Sequence, residues 1–503
     1  MISSASIGRA GHVVLAAGAL GIVGQLLFYD VAIGLNFPIL VALLVISGWL
    51  LRRPMARVER RDLWLGPAAV IFASFAAVRA DATIVALDAL TSLGLAGAAL
   101  ATYGRRPVLR RSFGGLVTLG MTVSGWVAAG AVPAMAAARR HLPVARGSLG
   151  RARPALPVLR GLLIAVPVLL VFVSLFSAAD AVFAGVVEDL TSFDLDLGTA
   201  PGRATLAAVV AWLAAGGLAL AAARPPSAPA VARTDAGEGW RLGSTEVLTV
   251  LITVDVLFAG FVALQAAYLF GGLNTLDAVG MTYSEYARRG FFELVAVAIL
   301  SGGLIVAADR LVRRRSTAVV AAAVGLSVLT AVVLISAALR LRLYQEAYGW
   351  TELRLYVLAT IALLAIVLVA LVVTLLSDRV RWIGHVVLAS GLVVGLGLSV
   401  LGPARFITEQ NVARVLDPTL VPEHGLSGID TSYALSLGDD RIPDLVRVLP
   451  ALEGEEGRYV RDELGFRLSQ LRSDPGLSSW QAWNLGRDRA RTALEAADAR
   501  GAL

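Results

Sequence analysis

Charged side chains with helical spacing surround position 289 of this 503-residue chain. Glu285, Arg289 and Glu293 lie four residues apart, so on a helix they share one face and can pair, with Arg288 beside them. Tyrosines occupy the same stretch. Arginine together with tyrosine suits a phosphate or carboxylate carried on a partly apolar ligand, such as a lipid head group.

A second group of similar composition follows between positions 340 and 348. If the helix predicted just before it continues, Arg342 and Glu346 form another i, i+4 pair, while Arg340 and Tyr344 fall on an adjoining face.

Both groups are predicted to lie at one membrane boundary, where Gln265 and Tyr268 end an earlier apolar run. Charges at that depth should face one another or a water-filled cleft. Two interpretations remain open: an outward-opening ligand site, or an ion-paired latch that fixes helix packing.

Three carboxylates, Asp88, Asp180 and Asp255, are candidates for positions inside the membrane. A lone carboxylate at membrane depth is a functional candidate, often as a proton or cation carrier. The alternative is a protonated aspartic acid that donates a hydrogen bond between helices. We favour the functional interpretation for Asp255 and the structural one for Asp88, which has Thr91 and Ser92 nearby.

The composition argues against several kinds of chemistry. The chain has no cysteine, and all 44 of its basic residues are arginine, which excludes a thiolate site, a Schiff base and a lysine phosphate-binding loop. The four histidines are scattered, and no nucleophile motif is present. We therefore expect no metal, no cofactor and no catalytic residue, and a non-enzymatic role is favoured.

Hydrophobic residues make up 57% of the chain and charged residues 16%, a balance that a bilayer can use and a soluble core cannot. Runs of about 20 apolar residues predict an all-α, polytopic membrane protein with about 11 transmembrane helices. The predicted spans are 12–29, 31–51, 63–79, 82–103, 158–178, 204–223, 246–270, 290–308, 317–338, 353–376 and 382–401.

Arginine-rich loops set the predicted orientation. The first 401 residues carry 32 basic and 21 acidic residues, and the excess lies in short loops that should stay in the cytoplasm rather than form a nucleic-acid surface. Basic loops flank the apolar run 113–138 on both sides, so we expect it to lie in the membrane plane or re-enter, although an ordinary span remains an alternative. The N-terminus is then cytoplasmic and the C-terminus extracytoplasmic, in a bacterial inner membrane.

Four regions are predicted: an N-terminal membrane half (1–223), a Pro/Gly/Ser-rich cytoplasmic linker (224–244), a second membrane half (245–401) and a soluble helical tail (402–503). The tail shows helical spacing of apolar residues on both sides of a break at Glu453 and Gly454. It is interpreted as a small cap on the membrane part, or as a domain that binds a ligand or a cell-envelope protein.

Two stretches resemble a family of uncharacterised bacterial membrane proteins, domain of unknown function 4173 and its relative 4153. One stretch runs from Glu246 to Val297 and includes Asp255-Val-Leu-Phe-Ala-Gly and Tyr283-Ser-Glu-Tyr-Ala-Arg-Arg; the other is Arg340-Leu-Arg-Leu-Tyr-Gln-Glu-Ala-Tyr-Gly-Trp. The resemblance covers roughly residues 160–495. It implies the architecture and no activity, because the family has none established.

Three functions remain in view. Transport or handling of an anionic or lipid-like substrate through the Arg/Glu/Tyr site ranks first. A membrane sensor or assembly scaffold that uses residues 402–503 ranks second, and a membrane enzyme acting on a lipid-linked substrate ranks third.

Overall fold

A computed structural model describes residues 10–52, 62–104, 108, 113–138, 199–223, 242–270, 291–422, 425 and 428–503. These residues form helices and short turns, with no strand among them. The first seven helices are α1 (Ala10–Phe28), α2 (Asn36–Leu51), α3 (Leu65–Ser74), α4 (Ala82–Tyr103), α5 (Phe113–Ala129), α6 (Val132–Ala138) and α7 (Ala200–Ala222).

Within the described ranges, five long helices come next and six shorter ones follow them. The long helices are α8 (Ser244–Phe270), α9 (Phe291–Leu311), α10 (Thr317–Tyr348), α11 (Glu352–Leu376) and α12 (Ile383–Leu401). The shorter helices are α13 (Pro403–Leu416), α14 (Thr431–Ser436), α15 (Ile442–Val448), α16 (Gly454–Ser473), α17 (Pro475–Ser478) and α18 (Leu485–Asp498).

Eight helices within the described ranges are long and apolar enough to cross a membrane, which makes the chain a multi-pass, all-α membrane protein. They correspond to eight of the predicted spans. Two more predicted spans contain shorter apolar helices, Asn36–Leu51 and Leu65–Ala77, and the predicted span 158–178 lies outside the described residues. The total of eleven therefore stays a prediction.

The run 113–138 forms two helices instead of one. Helix α5 ends at Ala129, Gly130 adopts a left-handed conformation with φ of 54°, and α6 begins at Val132. A positive φ cannot continue a right-handed helix, so the run is interrupted at this point.

The described residues divide into two compact units. The first contains Met1–Ala77, Ala89–Pro229 and Pro475–Trp483, with helices α1 and α7 packed along each other. The two helices can approach closely at Gly21 of α1 because glycine has no side chain. A Cβ there would overlap the carbonyl oxygen of Ala207.

The second unit contains Val78–Asp88, Ala230–Asp474 and Asn484–Leu503, so it joins α8–α12 with most of the tail. Its apolar core lies between helices α8, α9, α10 and α11, around Leu251, Ile305, Leu326 and Leu371. The tail is helical, as predicted, and it breaks between α15 and α16 at the expected Glu453–Gly454 step.

Polar side chains cap the N-termini of several helices of the second unit. Ser316 accepts a hydrogen bond from the Val319 amide at the start of α10, and Asp430 and Asn484 cap α14 and α18 in the same way. The Ser316 cap thus sets the start of α10, which carries Arg342 and Glu346.

Candidate functional site

The predicted arginine-rich group at the end of α10 forms in the second unit. Helix α10 continues to Tyr348, so the predicted pair is present, with Arg342 Nε 2.7 Å from Glu346 Oε1. The Arg342 side chain is 73% exposed and the Glu346 side chain 40%, so this pair contributes little to stability. Arg342 is therefore accessible to a ligand.

Aromatic stacking organises the same end of the helix. The rings of Tyr344 and Tyr348 lie 5.0 Å apart, and the Arg354 guanidinium lies 4.2 Å from the centre of the Tyr344 ring. A cation over an aromatic face is attracted by the ring quadrupole. Tyr344 is thereby held between another ring and a positive charge.

Two arginines cap the carbonyl groups at the end of α10. Arg414 of α13 donates to the carbonyl oxygens of Glu346 and Ala347, at 2.5 and 3.2 Å. Arg354 donates to those of Tyr348, at 3.1 Å, and Gly349. The last carbonyls of a helix lack partners within the helix, so these arginines stabilise its end. We call Arg340, Arg342, Tyr344, Glu346, Arg354 and Arg414 the arginine end of α10.

The remaining predicted residues of this group lie wholly or partly outside the described residues. Glu285, Arg288 and Arg289 lie outside the described residues, as does Asp180. Gln265 and Tyr268 lie on α8 and Glu293 on α9, but their side chains are outside what the structure describes. Their assignment to a ligand site stays a prediction.

A second polar group, in the same unit, surrounds Asp81 and Asp88. These aspartates are 3% and 2% exposed, and they lie seven residues apart on one face of α4 and its N-cap. Oδ1 of Asp81 accepts from the Thr83 amide at 2.8 Å, and Oδ1 of Asp88 accepts from the Ser399 hydroxyl at 2.6 Å. The Oδ2 atom of each is buried and has no hydrogen-bond partner among the described residues.

Helix α11 supplies the other members of this group. Glu352 and Tyr356 are four residues apart, and the Oε1 atom of Glu352 and the Tyr356 hydroxyl are also buried without a described partner. The charges of Asp81, Glu352 and Asp88 all act on the Tyr356 hydroxyl. We call Asp81, Asp88, Glu352 and Tyr356 the carboxylate string.

The tail and the segment before α4 hold this group in place. The Tyr433 hydroxyl accepts from the Glu352 amide at 2.6 Å, and the Asp440 carboxylate accepts from the Ala80 amide at 2.7 Å. Arg79 donates to the carbonyl oxygens of Ser399, at 2.7 Å, and Val400. Burial raises the pKa of Asp81 and of Asp440, because each charged form loses hydration.

The surroundings of Asp88 differ from the sequence interpretation. The expected neighbour Ser92 donates instead to the carbonyl oxygen of Ala69, and the partner of Asp88 is Ser399, which lies 311 residues further along the chain. Asp255 is partly buried on α8, and its carboxylate faces Gly325 of α10 with Oδ1 unpartnered among the described residues.

A family model described as a domain of unknown function (DUF4153) matches residues 65–448, more than half of the chain. The chain belongs to the DUF4153 family. The match corrects the number expected from the sequence motifs, because 4173 denotes a related but different domain. The DUF4153 region includes the arginine end of α10 and the carboxylate string, and its description names no activity.

No curated protein and no solved structure matches this DUF4153 chain. Among the described residues, no three histidine or acidic side chains are arranged to hold a metal ion.

Proposed function

We propose that this DUF4153 protein transports or otherwise handles an anionic, lipid-like substrate, whose apolar chain lies between α10 and α11 and whose head group lies at the arginine end of α10. The observation that carries the proposal is an apolar groove of about 540 Å³ between these helices. That volume is typical of small-molecule sites.

Small side chains create the groove. Alanines line it on both helices, and larger apolar side chains flank them; the lining includes Val328, Ala331, Ala338, Ala362, Ala365 and Val369. Val328 and Val369 are 57% and 66% exposed, so the groove opens to the side rather than enclosing a cavity. A shape of this kind suits an acyl or isoprenoid chain lying along the helices.

The groove leads toward positive charge. On α10 the lining positions continue by one turn from Ala338 to Arg342, and on α11 they continue back by one turn from Leu358 to Arg354. Because only three residues separate the two helices, both arginines belong to the same end of the pair. Guanidinium groups bind phosphate and carboxylate well, so the polarity matches an anionic head group.

We further propose the cellular setting: a bacterial inner membrane, with the N-terminus in the cytoplasm and the arginine end and the tail on the outer side. The distribution of arginine-rich loops supports this orientation. Reporter fusions at residue 503 would test it, since a periplasmic reporter should be active there and a cytoplasmic one inactive.

Native mass spectrometry of the purified protein tests lipid binding, with phosphatidylglycerol and phosphatidylcholine supplied as the anionic and zwitterionic probes. Wild type should retain phosphatidylglycerol in preference to phosphatidylcholine. Arg342→Gln should remove that preference, because it removes the exposed charge. Ala331→Leu with Ala338→Leu should reduce retention of both lipids, because the added side chains fill the groove.

Arg310→Gln is the matched control, since Arg310 is an exposed arginine in the last turn of α9. This variant should retain both lipids as wild type does, with the same preference for phosphatidylglycerol. Equal retention of both lipids by wild type, or a preference that survives Arg342→Gln, would contradict the proposal.

A further inference from the structure

We infer that the carboxylate string is a proton-binding path, which begins at the ends of α4 and α11 and leads to Asp88 inside the span. Four protonatable side chains follow one another there: Glu352 and Asp81, then Tyr356, then Asp88. This inference rests on different residues from the lipid proposal and stands independently of it.

The buried oxygen atoms without partners are the first support. Nearly all buried polar atoms in folded proteins have a hydrogen-bond partner, so each exception requires an explanation. Asp81 and Asp88 each have one satisfied oxygen and one unpartnered oxygen among the described residues. A proton on the unpartnered oxygen would remove the cost of burying a carboxylate charge.

The spacing of these groups is the second support. Seven residues of α-helix correspond to a rise of about 10 Å, which separates Asp88 from Asp81 at the start of α4. Tyr356 lies one turn into α11 from Glu352, and its hydroxyl is buried without a hydrogen-bond partner among the described residues. A tyrosine hydroxyl can accept one proton while it donates another, so Tyr356 can connect the outer carboxylates with Asp88.

The groups that surround the carboxylate string are hydrogen-bond donors and Arg79, which bonds to backbone carbonyls. The positive charge of Arg79 attracts the carboxylates of Asp88 and Asp440. The Ile84 and Ala404 amides face Asp81, and the Thr83 side chain faces Glu352. Tyr433 lies on the tail side, beside Glu352. Arg79 is also bonded to backbone carbonyls of α12, so within the described residues no cation forms a direct salt bridge with Asp88.

Infrared spectroscopy of the protein in phosphatidylglycerol–phosphatidylcholine vesicles tests this path. A buried carboxylic acid with few hydrogen bonds absorbs at the high-frequency side of the C=O stretching region, away from solvated carboxyl groups. Wild type should show bands of this kind that increase as the pH is lowered, and Asp88→Asn should lack one of them, the Asp88 band. If no such band is present in wild type, or if all of them persist in Asp88→Asn, the inference fails.

Ser399→Ala identifies the carboxyl group without removing it. Loss of the hydroxyl that donates to Asp88 should shift the band to higher frequency, because a carbonyl with fewer hydrogen bonds has a stiffer C=O bond. Asp378→Asn is the control, since that side chain is 86% exposed, and it should leave the band unchanged. A band that does not move in Ser399→Ala does not belong to Asp88 and would overturn the assignment.

Tyr356→Phe tests the transfer of protons to Asp88 separately from the binding of a proton by Asp88. After transfer into D₂O, the Asp88 band should still be present in this variant but should shift at least an order of magnitude more slowly than in wild type, because the connecting hydroxyl is missing. Deuteration at the wild-type rate would show that protons reach Asp88 by another route.

Discussion

Gly402 occupies a left-handed position in the second unit where an alanine side chain would be strained. It ends α12 with φ of 72°, and a Cβ there would overlap the guanidinium of Arg79, which bonds the carbonyl groups of Ser399 and Val400. We expect Gly402→Ala to lower the free energy of unfolding by about 1–2 kcal/mol from the left-handed conformation alone. Displacement of Arg79 should add to this loss.

Thermal unfolding of the detergent-solubilised protein measures this effect through its tryptophan fluorescence. Gly397→Ala is a matched control, because Gly397 lies on the same helix and nothing is within 4 Å of its added Cβ. That control should be neutral or stabilising by about 0.5–1 kcal/mol, since alanine favours helix over glycine. Equal midpoints for the two variants would refute the role given to Gly402.

At the scale of elements, Arg414 connects α13 to the end of α10. It is 8% exposed and donates to two carbonyl groups that have no partner within α10. Arg414→Met should cost about 1.5–3 kcal/mol, because hydrogen bonds from a charged donor are lost and the carbonyls stay buried. The last turn of α10 should then fray.

Hydrogen–deuterium exchange of peptides covering residues 340–349 detects that fraying. Arg405→Met, an exposed arginine on the same helix, should leave exchange in these peptides as in wild type. If Arg414→Met leaves the exchange unchanged as well, the end of α10 does not depend on this cap.

The long apolar runs could be predicted from the sequence because hydropathy is a local property. Local spacing also predicted the Arg342–Glu346 pair and the helical break at Gly454. The carboxylate string could not be predicted in this way, because Asp88 meets Ser399 across 311 residues and a serine in an apolar run gives no signal of its own. Asp81 could have been noticed as an N-cap seven residues before Asp88.

At the scale of the whole molecule, burial of Asp81 and Asp440 links the stability of the second unit to pH. Burial raises the pKa of both carboxyl groups above their ordinary values, and the amides and Arg79 only partly oppose it. A raised pKa means that the folded state binds protons more tightly than the unfolded state. The stabilisation that these bound protons give is complete below the pKa of the carboxyl groups in the unfolded state. It is lost as the pH rises through their pKa in the folded state.

We therefore expect the double variant Asp81→Asn/Asp440→Asn to differ from wild type in its unfolding midpoint, and this difference should change steadily in the variant's favour as the pH rises. Each asparagine retains an acceptor for the Thr83 or Ala80 amide but has no charge to bury, so the variant should gain stability relative to wild type as the pH rises. Each unit of pKa difference is worth about 1.4 kcal/mol. Asp462→Asn, an exposed position on α16, should follow wild type at every pH. A constant difference between the double variant and wild type across the titration would mean that neither buried carboxyl group changes its protonation on unfolding.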